Sequence, residues 1–178
     1  MLFSICAWCG TALHDEPAGI ADHYTITHGI CEECRLQLFM DNPKAYDQFL
    51  DSLNAPILAV NREGEVMGAS GEACGFLQVD HPDRMRELPG GEVMQCIYAD
   101  EPGGCGNTIH CKACTIRNNV TYTLETGNSL HEVPAFLYMD NGEGRQKTEF
   151  LISTELMDPF VLLRIDKVFP SLVDKVPV

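Results

Sequence analysis

Asn54-Ala55-Pro56-Ile57-Leu58-Ala59-Val60-Asn61-Arg62-Glu63-Gly64-Glu65-Val66-Met67-Gly68-Ala69 is the stretch on which the fold turns. Two short apolar runs, 57–60 and 65–69, flank a turn-rich tetrad that ends in Gly64, and this pattern reads as a β-hairpin. Upstream, Asn42-Pro43 supplies an N-cap residue followed by proline at N1. Tyr46, Phe49, Leu50 and Leu53 then recur at i, i+3, i+4 and i+7, so an amphipathic helix over 42–54 leads into the hairpin. Downstream, a short helical segment is expected over 72–77. A longer helix from Lys112 to Thr126 carries Ile116, Val120 and Leu124 on one face and stops at Gly127. Three more strands are expected near 130–139, 146–156 and 160–168, separated by Asp140-Asn141-Gly142-Glu143-Gly144 and by Asp158-Pro159. The order is therefore hairpin, helices, then three antiparallel strands, which is an α+β domain.

Eight of the nine cysteines fall into two quartets: Cys6, Cys9, Cys31 and Cys34, then Cys96, Cys105, Cys111 and Cys114. Two residues between thiolates let a tight turn or a first helical turn aim both sulfurs at one ion, and two such arms complete a tetrahedral S4 site. In the first quartet Cys6-Ala7-Trp8-Cys9-Gly10 reads as a knuckle, with Trp8 as a hydrophobic cover. The connection that follows contains Gly19 and a short strand at Tyr24-Thr25-Ile26-Thr27. Leu36, Phe39 and Met40 at helical spacing place Cys31-Glu32-Glu33-Cys34 at a helix start. The arrangement is that of a treble-clef or ribbon-like zinc module, with His28 as a residue behind the ligands or an alternate ligand. Cys6-Ala7-Trp8-Cys9 taken alone is also the spacing of a thiol-exchange motif.

The second quartet has gaps of eight, five and two residues, with glycines on both sides of Cys105. Cys111 and Cys114 are expected to open the helix that runs to Thr126, so that its positive end faces their thiolates. Zinc satisfies this description, and so does an iron–sulfur cluster, because a five-gap followed by a two-gap resembles the cysteine loop of one class of [2Fe-2S] ferredoxins, although there the fourth cysteine follows the loop and here Cys96 precedes it. Cys74 reads as a small buried hydrophobe. His110 reads as exposed, and His14, His23, His81 and His131 have no spacing that argues for ligation.

The chain has 178 residues, 45% of them apolar, which is enough for one ordinary core and a small metal-held appendage. Its formal charge is −14, from 26 acidic and 12 basic residues; zinc bound by four thiolates at each quartet would take it to about −18. Nucleic acid is excluded as a partner on this reading, since phosphate affinity comes from clusters of Lys and Arg. The opening Met1-Leu2-Phe3-Ser4-Ile5-Cys6 has no basic n-region or apolar h-region, and the longest late apolar stretch, Phe160 to Ile165, is interrupted by Arg164. A cytoplasmic protein with no membrane association is expected, and cysteines in that compartment are read as metal ligands rather than disulfides.

The order of elements, together with Asn54 to Val66, resembles a PAS sensory domain. Ile5-Cys6-Ala7-Trp8-Cys9 and Thr27-His28-Gly29-Ile30-Cys31-Glu32-Glu33-Cys34 are similar to a cysteine-rich, zinc-binding element found in bacterial signalling proteins. The resemblance implies a five-stranded antiparallel sheet with helices on one face, the helical part lying between the second and third strands. It also implies signal sensing, contact with a protein partner such as a signalling kinase or regulator, and a homodimer as a common form. The expected layout is a zinc-binding module over 1–41, a connecting helix over 42–54, a PAS-like domain over 55–170 and a tail over 171–178.

The expected function is a sensor or adaptor that uses a cysteine-ligated metal centre, reporting redox, gas or metal state, to modulate contact with a partner. With about ten residues after the last strand, the signal is expected to pass by protein contact. A structural zinc-stabilised adaptor and a thiol oxidoreductase are the alternatives. Catalysis is not expected, because all-thiolate sites leave no water position for chemistry and no HExxH or other general-base motif is present.

Overall fold

The structure is a computed structural model that describes residues 2–7, 9–13, 25–140 and 145–169. The readings placed on Trp8, His14, Gly19, His23, Tyr24, the turn at 141–144 and the tail at 171–178 lie outside the described residues, as does the side chain of His28. The chain divides into two compact units, Met1–Ala45 and Tyr46–Val178.

In the first unit β1 (Leu2–Cys6) and β2 (Thr25–Gly29) pair in parallel, with Cys6 opposite Gly29. Beyond Cys6 the chain folds back on itself: Gly10 N–H donates to the Cys6 carbonyl at 2.9 Å, Cys6 N–H donates to the Thr11 carbonyl at 2.8 Å, and Ile5 bridges Ala12 in antiparallel sense. This is the expected knuckle. Helix α1 (Glu32–Asp41) follows, and its first turn carries Glu32 and Glu33, whose carboxylates favour the positive end of the helix.

Helix α2 (Pro43–Ser52) starts as the sequence dictates, with Asn42 Oδ1 accepting from Ala45 N–H at 3.2 Å. Its Tyr46 ring lies 5.8 Å from that of Phe160, and a Cβ at Gly68 would come within 2.9 Å of the Tyr46 ring, so helix and strand meet at van der Waals closeness there. Asp47, buried, pairs with Arg86 and also accepts from Ala69 N–H at 3.4 Å; Arg86 donates further to the Met67 carbonyl and, at 3.1 Å, to Asp83. Burial pushes the Asp47 carboxyl upward and the Arg86 charge partly opposes it.

The hairpin is β3 (Ile57–Val60) and β4 (Val66–Ala69), its turn fixed by Asn61 Oδ1, which accepts from Glu65 N–H at 2.8 Å. Helix α3 (Gly71–Leu77) is capped by Ser70, and a four-residue helix α4 (Gly90–Val93) precedes the second cysteine quartet. Helix α5 (Thr115–Thr126) leads to β5 (Leu130–Asp140), β6 (Arg145–Met157) and β7 (Phe160–Phe169). The sheet order is β4-β3-β7-β6-β5, and every neighbouring pair is antiparallel. This is the expected five-stranded antiparallel sheet with the helical segment between its second and third strands.

One boundary is corrected. The expected helix from Lys112 begins instead at Thr115, because Cys114 takes the extended conformation of a cap and its sulfur accepts from Arg117 N–H; Cys111 lies outside α5, in a 3-10 turn over Ile109–Ala113. The core is one cluster: Leu58, Val60, Phe150, Ile152, Leu163 and Ile165 of the sheet against Ala73, Cys74 and Leu77 of α3 and Ile116 and Val120 of α5. Alternate residues of β3, β6 and β7 supply this part of it. Thr123 of α5, fully buried, donates to the Asn128 carbonyl at 3.0 Å and shares a 2.7 Å hydrogen bond with Thr154 of β6. Among the described residues, no helix is long and apolar enough to cross a membrane.

Candidate metal centre

The first quartet closes as its spacing requires. Cys6 ends β1, Cys9 sits in the turn behind it, Cys31 precedes α1 and Cys34 lies in its first turn; the parallel register brings Gly29, and with it Cys31, alongside Cys6. The four sulfurs lie within 4.8 Å of one another, and Cys9 and Cys31 are 3.6 Å apart. Bonds of about 2.3 Å to a tetrahedral zinc set sulfurs roughly 3.8 Å apart, so the donor set fits that ion. Cys34 N–H donates to the Cys31 sulfur at 3.4 Å, the amide contact expected at a helix start. The Thr11 hydroxyl, 3.2 Å from the Cys9 sulfur, holds that thiol below its usual range, while burial pushes Cys34 up.

The second quartet is built differently. Cys96 follows α4, its backbone bridging Met139 of β5, with Ile97 N–H donating to the Tyr138 carbonyl at 2.9 Å. Cys105 stands in the glycine-rich loop, Cys111 in the 3-10 turn and Cys114 at the cap of α5. All four line a single cavity of about 510 Å3 between this loop, α5 and the sheet, whose floor includes Leu58, Val60, Leu137 and Leu163. That volume is in the range, about 300–1,000 Å3, of sites that hold small molecules and cofactors. Among the described residues, the first quartet is gathered as a single ion requires, and the second quartet is not gathered in that way.

Backbone N–H groups reach three of the four sulfurs: Gly91 to Cys105 at 3.2 Å, Gly106 to Cys111 at 3.1 Å and Arg117 to Cys114 at 3.5 Å. The Thr108 hydroxyl is a further 3.3 Å partner of Cys111. Two glycines make this possible. A Cβ on Gly91 would sit 2.6 Å from the Cys105 sulfur, and one on Gly106, whose φ is +93°, would collide with the Arg117 guanidinium at 2.2 Å. Burial pushes Cys96 up to about 11, with the Cys114 and Cys111 charges adding to it, and raises Cys105 in the same way. Burial acts upward on Cys111 too, but the Thr108 hydroxyl, the Gly106 amide and Arg117 outweigh it and hold this thiol low.

The charge of the lining is one-sided. The chain has 26 acidic residues, yet among the described residues no Asp or Glu lines this cavity, whereas Arg62 and Arg117 do. His110 is exposed, as expected, but is not idle: it stacks on Tyr98 at 3.8 Å, and Arg145 lies 4.9 Å from Tyr98 and 4.5 Å from Tyr138. Cys74 is buried in the core, again as expected. Sequence reading passed over Gly91, Thr108 and Arg117; Arg117 stood three residues after Cys114, the spacing at which a helix presents a side chain beside its cap.

No family model matches the chain, and no curated protein matches it. Among solved structures it is similar to a domain of a sensory box sensor histidine kinase/response regulator from Geobacter sulfurreducens, at 16% identity over 74% of this chain and 96% of that one, with a TM-score of 0.42. The PAS domain of an HTR-like protein from Haloarcula marismortui is 10% identical over 77% of this chain and 99% of that one, with a TM-score of 0.40. A PAS domain from Desulfitobacterium hafniense is 18% identical over 70% of this chain and 99% of that one, with a TM-score of 0.37.

Proposed function

We propose that this chain is a PAS-type signalling sensor or adaptor, in which a metal centre held by Cys96, Cys105, Cys111 and Cys114 is the sensing element and zinc at Cys6, Cys9, Cys31 and Cys34 holds the small N-terminal unit together. The observation that carries this reading is the cavity itself, lined by all four thiols of the second quartet and, among the described residues, by no carboxylate, beneath the sheet of the larger unit. Thiols that burial pushes upward become ligands only when a cation replaces their protons, so occupancy is linked to the state of the surroundings. The protein is non-catalytic on this reading, since a site closed by four thiolates offers no open position to a substrate. It is cytoplasmic, and the output is a change in contact with a protein partner such as a kinase or regulator.

A path for that output is available. Cys114 caps α5, and α5 reaches β6 through the Thr123–Thr154 hydrogen bond, while Cys96 is fastened to β5. A shift in how the centre is filled biases both connections, which is a population shift between two arrangements. Hydrogen exchange on the full chain, purified anaerobically, compared with Cys105→Ser tests it. Changed protection extending from 96–126 into β5 and β6 is the expected result. Changes confined to the cysteine loop would reduce the site to a structural clip.

A further inference from the structure

The second quartet differs from the first in a way that bears on what it holds, and the inference drawn from it rests on the reading of the cavity as the sensing site. Around a single zinc, four thiolates converge on a point, and the first quartet has that form, with all four sulfurs inside 4.8 Å. The second has the same donors but no such convergence; its sulfurs face a volume of about 510 Å3. In an iron–sulfur cluster the cysteines are shared among different irons, so the donors stand around a volume instead of meeting at one atom.

Two further features point the same way. Three of the four sulfurs accept a backbone N–H, from Gly91, Gly106 and Arg117, and hydrogen bonds to sulfur are one of the means by which a protein sets a cluster's potential. The Arg117 guanidinium lies against Gly106 and supplies positive charge to a lining that, among the described residues, contains no carboxylate. A cluster core of charge 2+ with four thiolates carries a net charge of about −2, which becomes about −3 when one electron is added with no bond made or broken. The lining suits an anionic occupant whose charge can grow.

We propose that Cys96, Cys105, Cys111 and Cys114 hold an iron–sulfur cluster, with Arg117 as its counter-charge. The test uses the full chain, isolated anaerobically and, in parallel, reconstituted with ferrous iron and sulfide. Iron, acid-labile sulfide and zinc are measured per chain, with the visible spectrum and the paramagnetic signal after reduction by dithionite. One zinc with iron and sulfide, a broad visible absorbance and a reduced-state signal are expected. Cys105→Ser should remove iron and sulfide and leave the zinc.

Arg117→Met should lower the midpoint potential by about 59 mV, a tenfold change in the one-electron equilibrium, and Arg117→Lys should stay near the parent value. Two zincs with no sulfide would overturn the cluster and leave the metal-sensing reading standing. One zinc and no second metal under either preparation would overturn both. A cluster whose potential is the same in Arg117→Met would remove Arg117 from the proposal.

Discussion

Gly91→Ala adds one methyl group to the chain, and the structure says where it goes. The new Cβ would lie 2.6 Å from the Cys105 sulfur, 3.0 Å from the Cys105 Cβ and 3.6 Å from the Cys96 Cβ. Since non-bonded carbon atoms settle at about 3.5–4.0 Å, Cys105 must retreat by about 1 Å. Metal sites tolerate about 0.2 Å in bond length, so the displacement exceeds the tolerance several-fold. It also strains the 3.2 Å hydrogen bond from Gly91 N–H to the same sulfur. Overpacking of this kind destabilises by about 1–3 kcal/mol, which in a unit of this size lowers the melting temperature by several degrees.

The measurement is metal content per chain, with a thermal melt of the same preparation. The second metal should be lost while the zinc of the first quartet stays. Gly75→Ala is the control: nothing lies within 4 Å of its Cβ position in α3, so it should be neutral or stabilising by up to about 1 kcal/mol. Should Gly91→Ala carry its full second metal with an unchanged spectrum, the packing of α4 against Cys105 is not what positions the ligand, and the reasoning fails.

Thr123→Val leaves Thr154 and the Asn128 carbonyl short of a partner in a buried place, a loss of about 1–3 kcal/mol by urea denaturation, and Thr123→Val with Thr154→Val should recover part of it; equal losses in both variants would refute the coupling. Asp47→Ala removes a buried carboxylate from Arg86, for about 3 kcal/mol, and Asp47→Leu with Arg86→Met should be milder than Asp47→Ala alone. The Cys96 thiol is raised from 9.0 to about 11, so in chain stripped of metal it favours the fold below about pH 9 and that contribution is lost as pH rises through 11. The urea midpoint of the stripped protein should fall over that window and fall less in Cys96→Ala, whereas parallel curves would exclude Cys96 as the cause.

The strands were legible because alternation and turn residues are local signals: the hairpin at 57–69 and the last three strands lie within a residue or two of where the sequence puts them. The pairing of β3 with β7 was not legible, since it joins residues about a hundred positions apart and depends on which faces bury together. The start of α5 was misread for a local reason of a different kind. Propensity carries the helix back to Lys112, but the Cys114 sulfur competes as a cap and the preceding turn tightens to 3-10 form. In the first quartet spacing sufficed, because two CxxC arms determine a closed site. In the second, gaps of eight and five residues leave the separation of the sulfurs to the loop, so the sequence grouped the four cysteines that share a cavity but did not give the space between them.

The bridge between Cys96 and Met139 reaches past the cavity. Strand β5 is an outer strand of the sheet, and such a border offers unpaired N–H and C=O groups to any chain that comes alongside. The cysteine loop lies against that border at Tyr138 and Met139 and uses part of its bonding capacity. The loop therefore covers part of this border against pairing with a second copy of the chain.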